Sequence, residues 1–282
     1  MQAFDFNVHV AFRADYLSGE NAQTERASRS LRSEAEMAPE NYLECLSEYS
    51  EEFQTSFKAA NFMFFNPDLL GKDVLTPALK DCKSRFPDSR ATGLVDYRKT
   101  DQLDRLSRMK EQGFDCIKFH PYSQKITPAD WSSIVKIAKH AESLSMAVLV
   151  CTSFGTSRMH DHDGIGLACE LADSVSSVPI VLMHSGGVRA YEAMLLAEDK
   201  KNVYLETSFS LPYFEGGPIW DDLAFIYRKI GTERVLFGSD FPYVGLDENR
   251  RLVSKFFDRY RFKEAEQTGI LEGNALRLFS SL

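Results

Sequence analysis

Several things are scarce in this chain of 282 residues, and each scarcity excludes something. Positive charge is in deficit: 33 Lys and Arg stand against 41 Asp and Glu, a formal net charge of -8 with an isoelectric point near 5.4. A surface of that sign does not neutralise phosphates, so nucleic acid and anionic membranes are poor partners and a small-molecule substrate is the default. Long apolar runs are missing too. Stretches such as Met146 to Cys151 are far too short to cross a bilayer, and the N-terminus has no basic region followed by an apolar one. A soluble, unexported protein is expected. Cysteine is sparse and unpaired: five residues, at 45, 82, 116, 151 and 169, with no Cys-x-x-Cys. That pattern fits neither a disulfide framework nor a zinc knuckle, and suits reduced thiols in a cytoplasm. No repeat, low-complexity segment or linker breaks the sequence.

What is present is a regular alternation. With 44% hydrophobic residues the chain can bury a large core, and its length suits one big α/β barrel or two ordinary domains. Ala3 to Val10 alternates Phe4, Phe6, Val8 and Val10 with Asp5, Asn7 and His9, the period of a strand. Residues 13 to 38 are polar and aperiodic and read as a long loop after this first strand. A helix follows from Pro39, with Leu43, Leu46, Phe53 and Phe57 on one face. Further strands are expected at Phe62–Phe65, Ala91–Val95, Phe114–Phe119, Met146–Cys151, Pro179–Met183, Val203–Leu205 and Val235–Phe237, with helical stretches between them. Thr127-Pro128-Ala129-Asp130 has the cap, first-turn proline and acidic third position of a helix start, and Trp131, Ile134, Ala138 and Ala141 form its stripe. Eight strand–helix pairs predict one (β/α)8 TIM barrel spanning residues 1–282, although an open doubly wound sheet shows the same local pattern.

In a barrel the groups at strand ends converge on one face. Strand one carries Asn7 and His9; strand four, Lys118 and His120; strand five, Cys151; strand six, His184; strand seven, Glu206; and strand eight, through Gly-Ser-Asp-Phe-Pro, Asp240. A lone histidine at a strand end is more often a packing residue, and a lone Asp before a Pro-containing turn more often a cap. Four of the six histidines near one mouth make a joint site the better reading, since burying so many polar groups without a ligand is costly. His and Asp drawn from separate strands are zinc-type ligands, and a bound divalent ion would lower the pKa of a water toward neutrality.

Five segments carry a family resemblance: Asp-Phe-Asn-Val-His at 5–9, Ile-Lys-Phe-His-Pro at 117–121, Leu-Met-His-Ser-Gly-Gly at 182–187, Leu-Phe-Gly-Ser-Asp-Phe-Pro at 236–242 and Glu-Gly-Asn-Ala-Leu-Arg-Leu-Phe at 272–279. Together they resemble the amidohydrolase-2 branch of the amidohydrolase superfamily. The resemblance implies a TIM-barrel hydrolase, lactonase or decarboxylase of small, often carboxylated substrates, usually with one divalent metal. Asp240 matches the family's metal-binding, proton-shuttling aspartate, His184 its strand-six histidine and His9 the second histidine of its first-strand His-x-His. Asn7 stands where the first histidine is expected, and Cys151 where strand five normally ends in a histidine ligand. Either the site is rebuilt, with His120, Cys151 or the His160-Asp161-His162 loop as ligands, or it works without metal, as some lactonases of this branch do.

These observations converge on a hydrolase of a C–O or C–N bond in a small carboxylated or sugar-like substrate. Asp240, His184 and Lys118 are the expected catalytic groups; His9, His120 and Asp240 the expected ligands of one zinc ion; and Asn7, Arg13, Tyr122, Arg158, Arg189 and Tyr243 the expected substrate contacts. Two other readings remain: a Schiff-base aldolase or lyase using Lys118, and a barrel that only binds a metabolite. The apolar tail from Leu252 onward would either cover the barrel bottom or form a homodimer interface.

Overall fold

A computed structural model describes residues 3–12, 33–153 and 160–282. Eight parallel strands stand side by side in sequence order: β1 (Phe4–His9), β2 (Ala59–Phe64), β3 (Arg90–Leu94), β4 (Cys116–Phe119), β5 (Ala147–Cys151), β6 (Ile180–Met183), β7 (Val203–Glu206) and β8 (Val235–Leu236). Between and after them run α1 (Pro39–Ser56), α2 (Thr76–Arg85), α3 (Gln102–Gln112), α4 (Trp131–Ser143), α5 (Gly164–Ser174), α6 (Ala190–Asp199), α7 (Ile219–Ile230), α8 (Leu246–Tyr260) and a final α9 (Asn274–Ser280). The ring closes where the chain leaving β8 meets β1. Phe6 N donates to Phe237 O at 2.8 Å, His9 N to Phe241 O at 2.8 Å, and Asp240 N to Asn7 O at 2.9 Å. The fold is a (β/α)8 TIM barrel. Among the described residues no helix is long and apolar enough to cross a membrane.

Alternate strand residues divide between two cores. Val8, Phe62, Phe64, Ile117, Phe119, Val148, Val150 and Ile180 pack outward against the helices. Phe4, Phe6, Met63, Leu149, Val181 and Leu236 pack with Ala275, Leu278 and Phe279 of α9. The Phe279 ring lies 5.6 Å from both Phe4 and Phe6 and plugs the barrel floor. Asn274, in the Glu-Gly-Asn-Ala segment, ties that plug to the start of β8 by donating to Thr232 O (2.7 Å) and Val235 O (2.6 Å). In α8, Leu252, Phe256 and Phe257 are buried, with Phe256 edge-on to Trp220. The tail residues expected to serve a floor or an interface are thus engaged within the chain.

Several local expectations change. β2 begins at Ala59 rather than Phe62, because pairing with β1 from Phe4 extends it. On α1 the buried stripe is Tyr42, Cys45, Leu46, Tyr49 and Phe53, and Leu43 faces outward. Residues 33–35, expected in loop, form a helical turn, while residues 13–32 lie outside the described residues. β1 does not alternate evenly: its register against β2 slips between Asp5 and Val8, so Phe4 and Phe6 enter the inner cluster while Val8 and Val10 join the outer one. Removing the plug should register as a loss of stability. Phe279→Ala is expected to cost about 3 kcal/mol in urea unfolding, and a change near zero would show that Phe279 does not hold the floor.

Candidate active site

The closing seam also builds the site. After β8, Gly238 and Ser239 run into Asp240, whose φ of +60° is a left-handed conformation that turns its carboxylate back toward β1. Gly238 is required there, because a Cβ on it would lie 2.1 Å from Glu206 Oε1 and 3.1 Å from Asn7 Cβ. Asn249 Nδ2 fixes the turn from α8 by donating to Ser239 O at 2.9 Å. Asp240 Oδ1 then accepts from Asn7 Nδ2 at 2.7 Å and lies 3.4 Å from His9 Nε2. The slip in β1 lets both residues face the carboxylate. His9 Nδ1 meets Glu34 Oε2 at 2.7 Å, giving a buried Glu34–His9–Asp240 chain.

A second cluster rises from β4, β5 and β6. His120 accepts a hydrogen bond from Ser123 N on its Nδ1 at 3.3 Å. His184, whose φ of +66° begins a left-handed run through Gly187, donates from Nδ1 to Ser208 O at 3.1 Å and has Ser208 Oγ 3.0 Å from the same nitrogen. The charges of both imidazoles act on the Cys151 sulfur, which contacts Ser153 Oγ at 3.5 Å. Behind them Glu206 accepts from Ser208 N (2.6 Å), Ser208 Oγ (2.7 Å) and His184 N (3.2 Å). Phe65 joins the clusters: its ring lies 4.6 Å from His9 and 6.4 Å from His120, and the Lys118 Nζ sits 4.9 Å over it. Lys118 is paired in register with Leu94 and Leu149. Among the described residues its ammonium has no hydrogen-bond or ion-pair partner. His9, His120, Cys151, His184 and Asp240 each keep 3–6% exposure, while Asp5, Asn7 and Glu206 beneath them keep none. The five therefore keep a trace of solvent contact, and the three are sealed from it.

The charges follow from this packing. Burial alone would raise the Asp240 carboxyl, but the His9 hydrogen bond and the charges on His184, His9 and Lys118 hold it well below the usual carboxylate range. For His184 burial works downward, yet the Cys151 sulfur, with Asp240 and Glu206, lifts it to about 9. Burial would raise the Cys151 thiol; the two imidazoles outweigh it and hold it well below the thiol range. His9 is raised against its own burial by Glu34 and then Asp240. Asp5 goes the other way. Burial pushes it up to about 7 despite hydrogen bonds from Ser239 N (2.8 Å) and Asn7 N (3.2 Å).

Other expected contacts lie elsewhere. Arg189 is held by Asp163 and Glu192 at the start of α6, so its guanidinium already has carboxylate partners. Tyr122 stacks edge-on to His162, which itself contacts Ile126 O at 2.9 Å, and His160 is exposed. Tyr243 is half-buried and edge-on to His9, 5.2 Å away, so it does belong to the site. Arg13 and Arg158 lie outside the described residues. Four members of the site were not anticipated: Glu34, Phe65, Ser208 and Asp5.

A sequence profile described as amidohydrolase matches residues 78–280. The chain belongs to the amidohydrolase-2 family. No curated protein matches it. Among solved structures, an uncharacterised TIM-barrel protein of Bordetella bronchiseptica superposes with a TM-score of 0.70 at 17% identity, covering 100% of this chain and 99% of that one. A putative 2-pyrone-4,6-dicarboxylic acid hydrolase of Pseudomonas putida gives 0.64 at 18%, covering 99% and 98%. A dihydroxybenzoic acid decarboxylase of a Polaromonas species, with bound manganese and the inhibitor 2-nitroresorcinol, gives 0.61 at 15%, covering 99% and 97%. At these identities the likeness shows the fold.

Members of this amidohydrolase family are enzymes and generally depend on a metal. The donors of this chain do not fit such a centre. Asn7 presents an N–H, not a lone pair, to the Asp240 oxygen a cation would need, and His120 faces Cys151. Among the described residues no three His, Cys, Asp or Glu side chains form a group that could hold a metal ion, the expected His9, His120 and Asp240 set included.

Asp5 supplies a test of the floor. Its folded-state value of about 7 lies above the ordinary 3.8, so its contribution to stability is full at low pH and is lost as pH rises through that window. Asp5→Asn can accept the same two N–H bonds without charge. It is expected to raise the Tm by a few °C at about pH 8 and change it little at about pH 4, by thermal melts; equal shifts at both pH values would contradict a neutral, buried Asp5.

Proposed function

We propose that this amidohydrolase is a hydrolase that cleaves a C–O or C–N bond, in a lactone, ester or amide, of a small carboxylated substrate. What supports the reading is the Asp240 carboxylate, held by Asn7 at 2.7 Å and 3.4 Å from His9, within reach of the charge on His184. Hydrolysis needs a group that takes a proton from water and a donor that meets the charge growing on the carbonyl oxygen or leaving group. Asp240, fixed by Asn7 and His9, is placed for the first task and His184 for the second. Lys118 offers a substrate carboxylate a buried ammonium that makes no direct ion pair among the described residues. The Pseudomonas neighbour bears the name of a putative hydrolase of a pyrone dicarboxylate, a lactone with carboxylates and so a compound of this class.

Asp240→Asn keeps the shape and removes the charge. Its kcat is expected to fall by about 10³-fold or more with an unchanged melting profile, measured on a panel of carboxylated lactones and esters; near-normal turnover would sink the assigned role. Lys118→Met is expected to raise KM about tenfold or more for carboxylated substrates, leaving neutral esters little affected. Dialysis against a chelator should leave activity in place, because no step here runs through a metal. Borohydride with a carbonyl substrate should leave Lys118 unmodified, which separates this reading from a Schiff-base aldolase.

A further inference from the structure

Apolar side chains left in water are spread thinly over this molecule, with one exception. Nine large ones stand well exposed among the described residues. Five of them, Leu43, Val74, Leu103, Tyr213 and Leu276, sit singly on five separate elements, as scattered surface residues do. The other four share one face. Val188, Tyr191 and Leu195 follow a helical spacing into and along α6 and keep 54%, 48% and 60% exposure, while Phe225, at the middle of α7, keeps 52%. The Tyr191 and Phe225 rings lie 6.5 Å apart and join the two helices into one patch. Half-exposed side chains of this size present roughly 100 Å² each, so the patch comes to about 400 Å², within the range where a surface patch has a use.

The charges on α7 say what covers it. Its outward face reads Asp221, Asp222, Phe225, Arg228 and Lys229, two acids one turn before the ring and two bases one turn after it, at mirrored spacings of three and four. A second α7 laid antiparallel over the first, with a two-fold axis at Phe225, brings Asp221 and Asp222 of each copy against Arg228 and Lys229 of the other. A parallel pairing would set acid on acid. α6 and α7 run side by side in one direction, since Tyr191 Oη donates to Asp222 Oδ1 at 2.8 Å near one end and Lys229 Nζ lies 3.4 Å from Glu198 Oε1 near the other. Tyr191 and Leu195 therefore flank the same axis, and the two apolar faces meet as the charges pair.

Within one chain these charges are held only by contacts at the surface. Arg259 lies 3.6 Å from Asp221, Tyr260 Oη donates to Asp221 at 2.5 Å, and Arg228 donates to Tyr260 O. Exposed pairs of this kind are worth little, so exchanging them for a partner's charges costs little. Beside Phe225 a groove of about 400 Å³, lined by Asp221, Ala224, Arg228 and Tyr260, leaves the facing ring room to pack.

We infer that α6 and α7 form the interface of a homodimer whose two copies pack antiparallel about a two-fold axis at Phe225. The four apolar side chains supply about half of the ~800 Å² per copy that a stable dimer buries, and the charged residues around them form its rim. The inference is independent of the reaction assigned to the barrel mouth.

In sedimentation velocity at micromolar concentration, wild-type protein should run at twice the 32.0 kDa of one chain. Phe225→Glu sets two carboxylates against each other at the axis and is expected to raise the dimer Kd about 100-fold or more, with an unchanged far-UV circular dichroism spectrum. Asp221→Lys with Asp222→Lys makes the face of α7 wholly basic, and Arg228→Glu with Lys229→Glu makes it wholly acidic. Each of these should run as a monomer alone, and mixing the two should restore a dimer. Phe225→Cys should crosslink to its own copy under mild oxidation, whereas the wild type, with Cys169 as its exposed thiol, should not. A wild-type chain that stays at 32.0 kDa throughout the micromolar range, as it would if this face met a different protein or stayed bare, overturns the inference. So does a dimer that persists in Phe225→Glu and in both charge-swapped forms, since its interface then lies elsewhere. Charge-swapped forms that fail to pair with each other overturn the antiparallel arrangement.

Discussion

The barrel closes through three backbone hydrogen bonds between β1 and the residues that follow β8, and the rest of the structure depends on them. A strand of only two residues, Val235–Leu236, is too short to seal a sheet by itself. The seam is carried instead by irregular chain from Phe237 to Phe241. Its irregularity makes it useful: a regular strand would send Asp240 along the sheet, whereas the left-handed turn sends it inward to Asn7 and His9. The same short segment thus holds the ring shut and presents its most acidic side chain.

Around that turn, charge alternates at short range. Glu34, His9 and Asp240 form one buried chain, and His184, Ser208 and Glu206 another, while the Lys118 ammonium lies over the Phe65 ring as a fixed partner of neither. Buried ionised groups survive only when each is paired or hydrogen-bonded. Here the carboxylates of the inner floor that lack a cation beside them, Asp5 above all, move toward neutrality. Asn7 brings an amide donor and Cys151 a thiol near the C-terminal ends of their strands.

Much of this architecture could be read in the residues. Parallel strands buried on both faces give apolar runs such as Val148–Val150, and strands end where polar groups begin, so His9, Lys118, His120, His184 and Asp240 could each be given an address. The partners of those groups could not. Glu34 lies in a polar stretch without period, and nothing local marks it as the residue that reaches His9. Phe65 reads as one more strand aromatic, and only the closed ring puts its face against Lys118. Arg189 looked free in sequence, but Asp163 and Glu192 come from a neighbouring loop and the next turn of its own helix. The slip in β1 is invisible to an alternation count because both sets of residues, Phe4 with Phe6 and Val8 with Val10, are equally apolar.

The Phe279 ring beneath Phe4 and Phe6 links the first strand of the barrel to a helix that follows its eighth. During synthesis the strands emerge one after another, yet the pore they enclose has no bottom until residue 279 clears the ribosome. Until then Phe4 and Phe6 remain open to water from below, so the nascent chain carries a wet aromatic surface that a chaperone can recognise while the other seven strands are made.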